Sequence, residues 1–127
     1  MLDQVEKLDG VGKFQRDQWE RRDEGGDQSL LGFGTTAVIE KGDIIEKGAI
    51  STTITSGRLS KERALAISSR VGQVEGAVVG AEYYACAISL VLHSANPMCP
   101  TYRSDVRYFE LEDGTGWFGG GQDLTPY

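Results

Sequence analysis

Between Ser89 and Tyr127 the chain sets His93, Arg103, Asp105, Arg107, Gly119-Gly120-Gly121 and Asp123 among strand-forming residues. His93 is the only histidine of the chain. Any imidazole-based proton transfer here depends on it, since imidazole titrates near neutrality. Its bland alternative is a hydrogen-bonded core histidine. Asp105 and Arg107 sit two apart, so on a strand they share a face and can pair directly. Such a pair is either a surface ion pair of little energetic weight or a guanidinium poised to grip a carboxylate with two parallel hydrogen bonds. The glycine triplet, between Trp117-Phe118 and Asp123, is either a flexible turn or bare backbone whose N–H groups approach a flat ligand closely.

These groups need strands to hold them. Tyr83–His93 is apolar along nearly its whole length, which predicts a strand buried on both faces, with Ser89, Val91 and His93 on one side. Asn96-Pro97 and Cys99-Pro100 predict an irregular link. Ser104–Glu112 predicts a second strand: Asp105, Arg107, Phe109 and Leu111 face one way, Val106, Tyr108 and Glu110 the other. Asp113-Gly114 turns it, and Gly116-Trp117-Phe118 begins the return. The long strands are expected to pair antiparallel, with the glycine triplet as a loop beside Ser89 and Arg107.

Upstream, Leu2, Val5, Leu8 and Val11, continued by Phe14 and Trp19, predict a helix over 2–22, kinked or broken at Gly10 and Gly12. Asp23–Asp27 reads as a loop. Leu30–Ile54 shifts to period two, with a turn at Lys41-Gly42-Asp43 and a close at Ser56-Gly57. Ser60 caps a predicted helix to Arg70, and the glycine- and valine-rich run 71–80 reads mainly as loop. These connections are too short for parallel crossovers, so the sheet is expected to be antiparallel.

The 127 residues fit one domain of modest core. Thirteen basic against 19 acidic residues give a net charge of −6, which argues against nucleic acid as a partner. No apolar run is long enough to span a bilayer as a helix. The first residues lack signal- and transit-peptide patterns, so a cytoplasmic location is expected. Cys86 and Cys99 fit neither a disulfide framework nor a zinc site and read as reduced thiols.

The chain resembles the aerobic (oxygen-dependent) coproporphyrinogen III oxidase family. The resemblance runs through Phe14-x4-Trp19-Glu20-Arg21, Glu46-Lys47-Gly48, Ser89-x3-His93-x2-Asn96-Pro97-x2-Pro100-Thr101 and Asp105-Val106-Arg107-Tyr108-Phe109. Its most specific piece is Trp117-Phe118-Gly119-Gly120-Gly121-x-Asp123-Leu124-Thr125-Pro126. It implies an α+β fold, a large antiparallel sheet flanked by helices. Residues 1–127 would be a single, incomplete domain covering the N-terminal portion of that fold. It further implies oxidative decarboxylation of two propionates of coproporphyrinogen III to vinyl groups, giving protoporphyrinogen IX in haem biosynthesis. Molecular oxygen is the oxidant, and no organic cofactor or metal is expected, although some bacterial members have been linked to manganese through a histidine at the His93 position. The implied partners are coproporphyrinogen III, oxygen and a second copy in a homodimer. By position, Ser89 and Asp105-Val106-Arg107 fall on substrate-binding positions. His93 and Arg103 are the catalytic candidates, with Gly119, Gly120, Gly121 and Asp123 completing the substrate site. Arg103 stands where the family commonly has a second histidine, and Asp105 where it commonly has asparagine. The alternative is a non-catalytic porphyrin-binding or structural piece of the same fold.

Overall fold

A computed structural model of the chain describes residues 1–22 and 31–126. The elements run α1 (Leu2–Asp9), β1 (Gln15–Arg22), β2 (Leu31–Glu40), β3 (Ile45–Arg58), α2 (Lys61–Val71), β4 (Glu82–Ser94), β5 (Thr101–Leu111) and β6 (Gly116–Thr125). The strands form one sheet in the order β1-β2-β3-β4-β5-β6, every neighbouring pair antiparallel. This is an α+β meander. Its only helical crossover among the described residues is α2, between β3 and β4.

The helix expected over 2–22 is not formed as such. Gly10 adopts φ 83°, a left-handed conformation that favours glycine, and its N–H bonds to the Glu6 carbonyl, ending α1. The chain then extends, and Trp19 belongs to an edge strand that pairs with β2. The loop expected at Asp23–Asp27 lies outside the described residues. The close expected at Ser56-Gly57 comes slightly later, because β3 continues to Arg58 in register with Glu82.

Antiparallel partners share a face, so the register divides the sheet into two sides. One side carries Trp19, Thr36, Ser51, Ser89, Asp105 and Gly121. The other carries Phe33, Ile54, Cys86, Tyr108 and Phe118, aligned across neighbouring strands. Each side has its own buried cluster. On the first, α2 buries Ile67 with Leu59, Ala81, Tyr83 and Leu111. Ser60 caps that helix as its sequence predicts, its Oγ accepting from the Arg63 N–H at 3.3 Å. Arg63 lies over the Tyr83 ring and hydrogen-bonds its hydroxyl. Phe109 stacks between Tyr83 and Trp117 at 5.1 and 5.0 Å, tying β4, β5 and β6 together.

On the second side Ala37, Ile39, Ile45 and Ile50 are buried. Asp9, at the end of α1, fastens this region. Its buried carboxylate accepts from the N–H groups of Gly12 at 2.6 Å, Ile45 at 2.8 Å, Ile44 at 2.9 Å and Asp43 at 3.2 Å. One side chain thereby links α1 to the β2–β3 turn. Donation from Gly12 and Ile45 holds its pKa well below the ordinary 3.8, against the opposing effect of burial.

Tyr83–His93 is not buried on both faces. Tyr83 is buried, but Tyr84, Ile88, Ser89 and His93 are exposed and most of the rest half-buried. The apolar run reflects a central position between two long neighbours, β3 and β5, and each face of it is covered over only part of its length. The glycine triplet is likewise not a loop. Gly119, Gly120 and Gly121 are strand residues of β6, paired with Arg107, Val106 and Asp105.

Candidate functional site

The first side of the sheet, beyond the aromatic stack, is an open cleft of about 770 Å³. Ala49 and Ser51 of β3, Ser89, Val91 and His93 of β4, Arg103 and Asp105 of β5, and Gly121 and Asp123 of β6 line it. The register explains the assembly. Ser51, Ser89, Asp105 and Gly121 form one row across four strands, while Val91, Arg103 and Asp123 form the next. A third row, Ala87, Arg107 and Gly119, lies on the other flank of Asp105.

Arg107 donates to Asp105, Nη2 to Oδ2 at 2.8 Å. Both side chains are well exposed, 53% and 37%, so the pair adds little to stability and remains open to a competing ligand. The Arg107 stem passes over Gly119: a Cβ there would lie 3.6 Å from Arg107 Cγ. Arg103 stands directly opposite Asp123 yet makes no ion pair among the described residues, so its guanidinium is uncommitted. His93 Nδ1 and Thr101 Oγ1 are 3.1 Å apart, leaving Nε2 as the ring nitrogen outside that contact. Thr101 thus orients an exposed imidazole at the end of the cleft.

Two of the sequence candidates stand apart. Val106 is on the opposite side of the sheet and 58% exposed there, and Gly120 is its partner on that side. The backbone still demands glycine at 120, since a Cβ would lie 2.4 Å from the Asp105 carbonyl oxygen. The sequence reading overlooked Ser51. A turn at Lys41–Asp43 alone would set Thr36 opposite Gly48; the observed register, with Glu40 opposite Lys47, sets Ser51 opposite Thr36 and Ser89.

The arrangement can bind anions. Two guanidiniums, hydroxyls and exposed backbone stand on one surface, with an imidazole at its end for proton transfer. Among the described residues no group of three or more His, Cys, Asp or Glu could hold a metal ion. No described helix is long and apolar enough to cross a membrane.

The profile of the family described as coproporphyrinogen III oxidase matches residues 1–127. The chain belongs to this family. It is 38% identical over 124 residues to the oxygen-dependent coproporphyrinogen-III oxidase, mitochondrial, of Rattus norvegicus, and 36% identical to that of Homo sapiens. Each alignment covers 94% of this chain and 26% of the relative. The oxygen-dependent coproporphyrinogen-III oxidase of Drosophila melanogaster is 38% identical over 120 residues, 91% of this chain and 28% of the relative. The chain therefore spans 26–28% of the length of these coproporphyrinogen oxidases.

Proposed function

We propose that this chain supplies the substrate-binding sheet of an oxygen-dependent coproporphyrinogen III oxidase. The observation that carries the reading is the row Ser51-Ser89-Asp105-Gly121 flanked by Arg103 and Arg107, in a chain of this family. A porphyrinogen is a broad, mostly apolar ring with carboxylates at its rim. The open glycine-bearing floor accepts the ring, and the guanidiniums take the propionates. In the whole protein each of the two reacting propionates, R–CH2–CH2–COOH, loses CO2 from its carboxyl carbon and two hydrogens to become R–CH=CH2. The two electrons and two hydrogens pass to O2, which balances as hydrogen peroxide. His93 is the proton-transfer group of the cleft. Arg103 remains protonated, so its part is to hold a propionate electrostatically.

A second reading, a non-catalytic tetrapyrrole-binding piece, is favoured by the shallow, solvent-open form of the cleft and the exposure of His93. The experiment is anaerobic titration with coproporphyrinogen III, followed by admission of air and assay for vinyl products. Binding that Arg107→Ala weakens by about tenfold or more supports the assignment of the sheet. Absence of binding by the parent chain contradicts it. Residues 1–127 alone are expected to give no vinyl product, so vinyl formation by the whole protein that carries this sheet, lost with Arg107→Ala, separates the oxidase from the second reading.

A further inference from the structure

Beyond the residues already placed in the cleft, a chain of hydrogen bonds crosses the sheet and ends on its floor. It begins at Trp19 on β1. The indole packs onto Gly34 of β2, where a Cβ would come within 2.8 Å of Trp19 Cζ2. Trp19 Nε1 donates to Thr36 Oγ1 at 3.3 Å. Thr36 Oγ1 and Ser51 Oγ are 3.0 Å apart. Ser51 stands opposite Ser89 and lines the cleft with Arg103 and Asp105.

The indole biases the direction of this chain. An indole N–H can only donate, so Thr36 Oγ1 must accept from it. Either hydroxyl of the Thr36–Ser51 pair can donate, and Thr36, already accepting from the indole, is the better donor of the two. Ser51 in turn has its O–H left for the cleft. A hydroxyl that already accepts a hydrogen bond is a stronger donor, because polarisation accumulates along such a chain. On the cleft floor the carboxylate of the same row, Asp105, lies two strands from Ser51, beyond Ser89, and holds Arg107 through Oδ2. The unmatched requirement is an acceptor carried by the ligand.

We infer that Ser51 is a carboxylate-binding residue of the cleft, its hydroxyl held as a donor by the Trp19–Thr36–Ser51 chain. Trp19 and Thr36 are positioning residues that never touch the ligand. The inference rests on the tetrapyrrole reading above and adds to it a specificity determinant for a propionate on the β3 side.

The test uses two probes, coproporphyrin III and its tetramethyl ester, titrated into the parent chain and into Ser51→Ala, Ser51→Thr and Trp19→Phe. Loss of one hydrogen bond to a charged group corresponds to about a tenfold weakening of the tetra-acid for Ser51→Ala. Ser51→Thr recovers most of that loss. Trp19→Phe, which keeps the ring and removes the N–H, weakens the tetra-acid by roughly threefold through the lost polarisation. The ester binds the parent and Ser51→Ala equally. In 15N-labelled protein the Trp19 indole N–H signal, identified by its disappearance in Trp19→Phe, moves on binding the acid in the parent and stays still in Ser51→Ala. Tetra-acid binding by Ser51→Ala at parental affinity overturns the inference alone, as does equal weakening for acid and ester. A parent that binds neither probe overturns both the inference and the tetrapyrrole reading.

Discussion

The two sides of the sheet are built from the same strands and differ in what their open halves carry. On one, α2 and the Tyr83–Phe109–Trp117 stack close one end, and the remainder presents His93, Arg103, Asp105 and Arg107. On the other, residues at the α1 end are buried around Ile39, and the remainder presents Phe33, Ile88, Val106, Phe118 and Leu124, all exposed. Strand alternation lets one stretch of chain write both surfaces at once: Asp105 and Arg107 belong to the polar cleft, and Val106 between them to the apolar side. Charge and exposed backbone gather on the side proposed to bind a carboxylate-bearing ring, and apolar surface gathers on the other, which suits contact with other protein.

The buried halves should dominate stability whichever side they cover. Leu111→Ala, in the α2 cluster, is expected to destabilise the chain by about 3 kcal/mol in urea denaturation, through lost burial and the cavity left behind. Asp9→Asn should cost on the order of 2 kcal/mol, because it removes a charged acceptor from four or more backbone donors. Its pH dependence sharpens the point. A depressed folded pKa contributes stability above the unfolded value and loses it as pH falls. The gap between parent and Asp9→Asn should therefore be full at neutral pH and shrink on acidification below the ordinary value of 3.8. A gap independent of pH would remove the role assigned to the Asp9 carboxylate.

The open halves should separate function from stability. Arg107→Ala is expected to weaken coproporphyrin III binding by about tenfold or more while changing stability by under about 0.5 kcal/mol, since its ion pair is exposed. Phe118→Ser makes the converse change. It removes a ring that is 78% exposed and tilted against Tyr108, so it should cost under about 1 kcal/mol, leave coproporphyrin binding unaltered and reduce self-association in analytical ultracentrifugation. If Phe118→Ser weakened binding as much as Arg107→Ala, the functional division between the two sides would fail.

How far this division was legible in the sequence varied along the chain. Residues 83–93, 104–112 and the return at 116–118 were legible as antiparallel strands, because their strand-forming runs were long and Asp113-Gly114 marked the turn, with Gly114 at φ 84°. Leu31 to Ile39 likewise alternated with period two. Gln15–Arg22 was misread as helix for a physical reason: in this edge strand of mostly polar residues, Trp19 is the one large apolar side chain, so neither period shows. The spacing of Leu2, Val5, Leu8 and Val11 then extended a real eight-residue helix too far. The glycine triplet looked like a loop because glycine has low strand propensity. Here close approach to Asp105 and room for the Arg107 side chain outweigh that propensity. The family motif drew attention to Val106 and Gly120, whose position on the far side only the register reveals.

The most direct test of the central assignment is methyl NMR on the chain titrated with coproporphyrin III, whose ring current shifts nearby protons strongly. Ala49, Ala87 and Val91 lie on the side of Arg103 and Arg107, while Ile54, Ile88 and Val106 lie on the other. The account predicts saturable shifts of the Ala49, Ala87 and Val91 methyls with the second set unmoved. Shifts confined to Ile54, Ile88 and Val106 would place the tetrapyrrole on the apolar side and contradict it.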